Sequence, residues 1–237
     1  MVRGRVKHMG AWVDYTVQVP YGTAVSARTL GGDVKVSKVK GEVQIESANG
    51  AVEASGTPRL VRVKTLSGDV LVTDSGSANG LSVSTVSGRL VTRGLKARSI
   101  ELATISGDLL MANTTCERAQ VRTVSGTLDF LGPLLKGGRY EFTSHAGDVR
   151  LKLTGSPGFE LFAKTFSGDV RSDLPLVVEP ADPDLPPGVP ERRDVRGTFG
   201  DGSALLLVKT FSGSVTVGSA DAGSPSKAKV EKTRKKK

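Results

Sequence analysis

Asp33, Glu42, Asp69, Asp108, Asp148 and Asp169 each follow a glycine at a recurring turn. Carboxylates brought into one line at strand spacing could share a hard cation such as calcium. The competing reading is a row of solvated turn acids. Two carboxylates about 4.8 Å apart in water repel by only about 0.9 kcal/mol before screening. Stacked in sequence order, Asp69, Arg89, Asp108, Thr127, Asp148 and Asp169 form the line, and Arg89 would pair its two acidic neighbours without metal. The Gly-Gly-x-Gly-x-Asp calcium nonapeptide is absent. No metal and no cofactor is therefore expected. Catalytic residues are not expected either. His8 and His145 lie far apart, Cys116 is alone, and there is no Gly-x-Ser-x-Gly elbow. Gly200-Asp201-Gly202 precedes a strand pattern, so it is not a dinucleotide loop. Cys116 reads as an inert turn residue. A lone cysteine excludes an internal disulfide and a thiolate zinc site. Glycan-cleaving chemistry needs converging acids and bases, and no such set is visible.

The elements that carry these acids are set by a repeat. Thr-x-Ser-Gly occurs at 65–68, 85–88, 104–107, 123–126, 165–168 and 210–213, with a degenerate Ser144-His145-Ala146-Gly147 between. From Gly68 to Gly168 the glycines step by 20, 19, 19, 21 and 21 residues. Apolar and polar residues alternate on both sides of each corner, as in Leu81, Val83, Thr85 and then Leu90. Ala11, Val13, Tyr15, Val17 and Val19 alternate in the same way, and Pro20 stops that strand. A second turn sits near each unit's midpoint, at Ser75-Gly76, Gly94 and Asn113-Thr114. The fold class is all-β with almost no α-helix. It is a β-solenoid (β-helix) of about nine coils, each of roughly 20 residues and two short strands, forming a rod roughly 40–45 Å long. One domain spans residues 1–217, with a Pro-rich loop at 173–202 inserted between late coils. Residues 218–237 form a disordered basic tail.

The net charge of +9 is uneven. Residues 220–237 hold seven cations (Lys227, Lys229, Lys232, Arg234, Lys235, Lys236, Lys237) against Asp221 and Glu231, or +5, leaving +4 for the rest. The tail is a candidate contact for anionic lipid or nucleic acid; the plainer reading is a solubilising end. No apolar run reaches the length of a transmembrane segment.

The x position of the corner is apolar at Leu30, Leu66, Val86, Ile105, Val124, Phe166 and Phe211, with His145 the exception. Strict alternation points these residues away from the buried threonines, as an exposed stripe and candidate interface. A bulge at the corner would turn them inward. The inward placement is the expectation.

The repeated Thr-x-Ser-Gly-Asp-Val resembles a bacterial family of adhesin-like β-strand-repeat proteins, a domain of unknown function. Tyr15-Thr16-Val17-Gln18-Val19-Pro20 is similar to the family's strand ending in proline. Ser172-Asp173-Leu174-Pro175 and Gly200-Asp201-Gly202 are similar to its C-terminal end. The resemblance covers roughly residues 11–217. It implies a β-solenoid in or on the cell envelope, with no activity or active site to carry over. The chain departs from the pattern in its basic tail and in showing no apolar leader behind Arg3, Arg5 and Lys7. A cytoplasmic location follows if this N-terminus is the true start. The functional expectation is a non-enzymatic structural or interaction module, with a protein or cell-surface partner unknown and self-association possible. The alternatives are a cytoplasmic, polymerising scaffold resembling bactofilins, and a carbohydrate-binding or carbohydrate-active solenoid.

Overall fold

Threonine at a corner, with apolar residues two and four positions before it, builds one buried column per position when coils stack in register. The computed structural model describes residues 14–155, 158–178 and 193–220. It is all-β, and no helix occurs among the described residues. Two parallel sheets face each other. Strand pairs follow one another as Val25–Thr29 with Val34–Ser37, Val43–Asn49 with Val52–Ser55, Leu60–Ser67 with Val70–Thr73, and Leu81–Ser87 with Leu90–Arg93. Lys96–Ser106 with Leu109–Ala112, Thr115–Ser125 with Leu128–Gly132, and Arg139–Ala146 with Val149–Leu153 continue the stack. Six consecutive turns link these seven pairs in sequence order.

The order then breaks. The last strand pair, Ala204–Ser212 with Val215–Ser219, lies between Arg139–Ala146/Val149–Leu153 on one side and Phe159–Ser167/Val170–Ser172 on the other. The expected run of about nine consecutive coils is thus seven strand pairs in sequence order followed by two in exchanged order. The Pro-rich segment expected as loop over 173–202 also holds structure. Arg193–Phe199 pairs antiparallel with Phe159–Ser167 and covers that edge of the first sheet, and Val177–Val178 pairs with it in turn. An antiparallel strand added at the edge satisfies backbone groups that a parallel end would leave open. At the other end, the strand expected over 11–19 is not found. Residues 14–19 lie outside any strand, with Tyr15 and Val17 84% and 77% exposed, and residues 11–13 are outside the described residues. Alternation alone does not make a strand; a ladder partner is needed, and none lies beside residues 14–19 among the described residues.

Register is strict. Thr29, Ser47, Thr65, Thr85, Thr104, Thr123, Ser144, Thr210 and Thr165 stack in that order. From Ser47 on, every one of them is buried. The Thr85 and Thr123 hydroxyls donate to the carbonyls of Ser87 and Ser125, at 3.2 and 3.3 Å, and so tie the corner to itself. The corner glycines stack on one another. Each from Gly50 onward sits against the carbonyl of the glycine beneath it, where a Cβ would overlap that oxygen. The opposite corner takes one left-handed residue per coil, at Lys38, Gly56, Asp74, Gly94 and Asn113. Inside, the columns widen along the rod: Ile45, Val63, Val83, Leu102 and Val121 lead to Phe142, which packs on Phe130 at 5.5 Å between ring centres.

Candidate functional site

The x residues of the corner face outward. Leu30, Leu66, Ile105, Val124 and Phe211 are 86, 51, 51, 46 and 50% exposed, and Phe166 reaches 74%. The expected inward turn is therefore corrected. The strands keep their alternation through x, with Thr stacked on Thr and Ser on Ser across the corner. The chain turns only at the glycine, whose positive φ takes the whole bend. No bulge is left to rotate x inward.

Given the sheet order, the outward column reads Leu30, Ala48, Leu66, Val86, Ile105, Val124, His145, Phe211, Phe166. It is a mostly apolar ridge along one edge of the rod. Phe166 and Phe211 stack at 4.8 Å with 4° between ring planes, and His145 continues the stack on Phe211 at 5.0 Å and 11°. This ring ladder exists because the last strand pair is inserted next to Ser144–Gly147. In sequence order, His145 would meet Phe166 instead. Ala48 makes a shallow notch near the other end, lined by Arg28, Leu30, Glu46, Lys64 and Leu66. Ala48 and the flanking charges were not singled out in the sequence. The degenerate corner Ser47-Ala48-Asn49-Gly50 carried the signal for the first, and position x−2 the signal for the second.

Two charged rows border the ridge. On the first-sheet side, at x−2, lie the exposed cations Arg28, Lys64, Arg122, Lys209 and Lys164, with half-buried Glu46 between the first two. Arg28 pairs with Glu46 at 3.2 Å and Lys209 with Glu141 at 3.9 Å. On the other side, at x+3, come Asp33, Ala51, Asp69, Arg89, Asp108, Thr127, Asp148, Ser214 and Asp169. Carboxylates thus alternate with other residues. The sequence-order line, which set Asp148 against Asp169, is corrected by the insertion of Ser214 between them. Alternation has a local cause. Asp33 Oδ1 accepts from the amide of Ala51 at 2.8 Å, Asp69 from Arg89 at 2.8 Å, Asp108 from Thr127 at 3.0 Å and Asp148 from Ser214 at 2.9 Å. Each of these four acids caps the coil beside it, so an acid is useful in every second one. It is the backbone amide of Arg89, not an ion pair across two acids, that answers Asp69. The Arg171 guanidinium contacts Asp169 at 3.3 Å. Glu42 is exposed and accepts from Gln44 at 2.9 Å, away from this line. Among the described residues, no three His, Cys, Asp or Glu side chains gather closely enough to hold a metal ion.

Cys116 is buried in the strand Thr115–Ser125, not placed in a turn as expected, and its carbonyl accepts from the Tyr140 hydroxyl at 2.8 Å. Burial pushes its thiol up to about 12, and the Tyr140 phenol likewise up to about 12. A thiol held neutral is a poor nucleophile. Cys116 is expected to resist an aromatic disulfide reagent at pH 8 in the folded protein and to react fully in denaturant; stoichiometric labelling of the native protein would contradict this burial. His8 and the basic residues Lys227, Lys229, Lys232, Arg234, Lys235, Lys236 and Lys237 lie outside the described residues. No helix among the described residues is long and apolar enough to cross a membrane.

No curated protein and no solved structure matches the chain. A family model does match, over residues 13–218, which takes in both sheets, the inserted strand pair and the ridge. With nearly the whole solenoid inside that match, the chain belongs to the Toastrack DUF4097 family, a domain of unknown function.

Proposed function

We propose that this protein is a non-enzymatic structural module, an adhesin-like rod of the cell envelope that presents its corner ridge to a protein partner. One observation carries the reading: a line of mostly apolar side chains, interrupted at His145 and notched at Ala48, runs along one edge of a rigid body, bordered by charge. A soluble rod gains nothing in stability from exposing Phe166 at 74% or Leu30 at 86%. Rigidity comes from the ladders beneath, so the ridge is preorganised and little ordering entropy opposes docking. A bactofilin-like filament built end to end is less well supported, because the strand Arg193–Phe199 occupies one end of the first sheet. A sugar platform is also less well supported. The faces of the Phe211 ring are taken up by Phe166 and His145, which leaves, of the two phenylalanines, only the end ring, Phe166, a face without a stacked ring.

Substitution of Phe166 and Phe211 by Ser tests the reading. Both side chains are half or more exposed, so the unfolding free energy should fall by no more than about 1 kcal/mol. Fluorescence of an apolar-surface dye bound to the native protein should drop several-fold. A variant that no longer folds would place these rings in the core and remove the proposal; so would unchanged dye binding. Fractionation of the native host, with the protein found in the cytosol, would remove the envelope location alone.

A further inference from the structure

The flanks of the ridge are opposite in sign, and this bears on what covers it. Cations dominate one side at Arg28, Lys64, Arg122, Lys209 and Lys164, with Glu46 among them; carboxylates dominate the other at Asp33, Asp69, Asp108, Asp148 and Asp169, with Arg89 among them. From this we propose, resting on the docking role of the ridge, that its occupant is a second copy of this chain, laid alongside with the two rods parallel.

Two copies can meet ridge to ridge about a twofold axis in two ways. With the rods antiparallel, each flank faces its own kind. Arg28 would oppose Lys164, Asp33 would oppose Asp169, Asp69 would oppose Asp148, and Asp108 would meet its own copy. With the rods parallel, the cationic flank of each copy faces the acidic flank of the other. Arg28 then shares a row with Asp33 of the second copy and Lys64 with Asp69, while Arg122 lies one row from Asp108. On balance the parallel arrangement brings unlike charges together on both sides, and the antiparallel one like charges, Glu46 opposite Lys209 being the exception. Charge arrangement of this kind sets the register and orientation of an interface. Size fits as well. Nine rows at about 4.8 Å, taken across the six residues from x−2 to x+3, cover roughly 700 Å² per copy. That approaches the roughly 800 Å² per partner of a standard interface. The pairing is therefore a reversible one, seen at micromolar concentrations and weakened by salt.

The test is sedimentation velocity of the full chain at about 10–300 µM in low and high salt. The expected result is a monomer–dimer equilibrium whose dissociation constant rises at least tenfold at high salt. The double variant Lys64→Glu and Arg122→Glu should be monomeric, as should Asp69→Lys and Asp108→Lys, while an equimolar mixture of the two should form heterodimers. A cysteine placed on the ridge reads the geometry without disturbing the aspartate caps. Val86→Cys should crosslink to its own copy under mild oxidation, because parallel rods bring like rows together. A Val86→Cys protein that crosslinks only when mixed with Val124→Cys would establish the antiparallel pairing and overturn the proposal. A wild type that stays monomeric throughout the range overturns it too. In that case the apolar-dye result on the Phe166 and Phe211 variant still stands, and with it docking of a different protein.

Discussion

Removing residues 204–237 should unfold a part of the solenoid that those residues do not contain. The strand Ala204–Ser212 pairs on one side with Arg139–Ala146 and on the other with Phe159–Ser167, and Val215–Ser219 does the same in the second sheet. Their loss leaves a gap one coil wide inside both sheets. Leu206, Val208, Val215 and Val217 are fully buried. At about 1.5–3 kcal/mol each, their removal takes away roughly 6–12 kcal/mol of burial, comparable to the whole stability of an ordinary domain. In hydrogen exchange, the amides of Phe159–Ser172 should lose at least about 100-fold of their protection, equivalent to about 2.7 kcal/mol. Those of Leu81–Ala112 should keep theirs, because solenoid coils depend chiefly on their neighbours. A sequential stack predicts the reverse: trimming the last coil would spare Phe159–Ser172. If the truncated chain keeps those amides protected, that pair has closed onto Arg139–Leu153, and the exchanged order is not required for stability.

Gly107→Ala should be among the most destabilising single changes in the protein. Gly107 has φ +133°, where an L side chain is strained, and a methyl group there would overlap the Gly88 carbonyl in the next coil. Neither atom can move alone, because Gly126 rests on Gly107 in turn. Backbone strain of about 1–3 kcal/mol adds to the cost of prising two ladders apart, for a total of about 4 kcal/mol or more. At a urea slope of about 2–3 kcal/mol/M this lowers the midpoint by roughly 1.5 M or more. Gly137→Ala is the control. Its φ of +73° is also left-handed, but no atom lies near the added methyl, so the cost should stay near 1 kcal/mol. Equal losses at the two positions would mean that conformation, and not the close approach of stacked corners, sets the glycine requirement.

Much of this was legible in the residues. Thr65, Thr85, Thr104 and Thr123 are buried where the alternation puts them, and the corner glycines turn where the repeat puts them. Alternation has period two, and a slip of one residue would expose every Val and Leu of a strand, so register follows from pattern. The candidate interface at Leu66, Val86, Ile105, Val124, Phe166 and Phe211 was legible as a column, though its direction was not. Whether a corner bulges depends on which residue takes the turn, and Thr-x-Ser-Gly is compatible with either choice. The segment 14–19 shows the opposite failure. Its alternation is as regular as that of any strand, yet no ladder lies beside it among the described residues.

The sequence by itself determined the architecture: two strands per repeat, stacked in register, with threonine inside and glycine at the turn. These follow from local spacing and from the need of each coil for a neighbour. Tertiary structure alone decided which neighbour. Nothing local distinguishes one Thr-x-Ser-Gly corner from another, so a strand pair near the C-terminus can occupy a slot that sequence order assigns to an earlier one. That exchange puts Ser214 between Asp148 and Asp169 and Phe211 between His145 and Phe166. It thereby completes both the alternation of the caps and the aromatic end of the ridge.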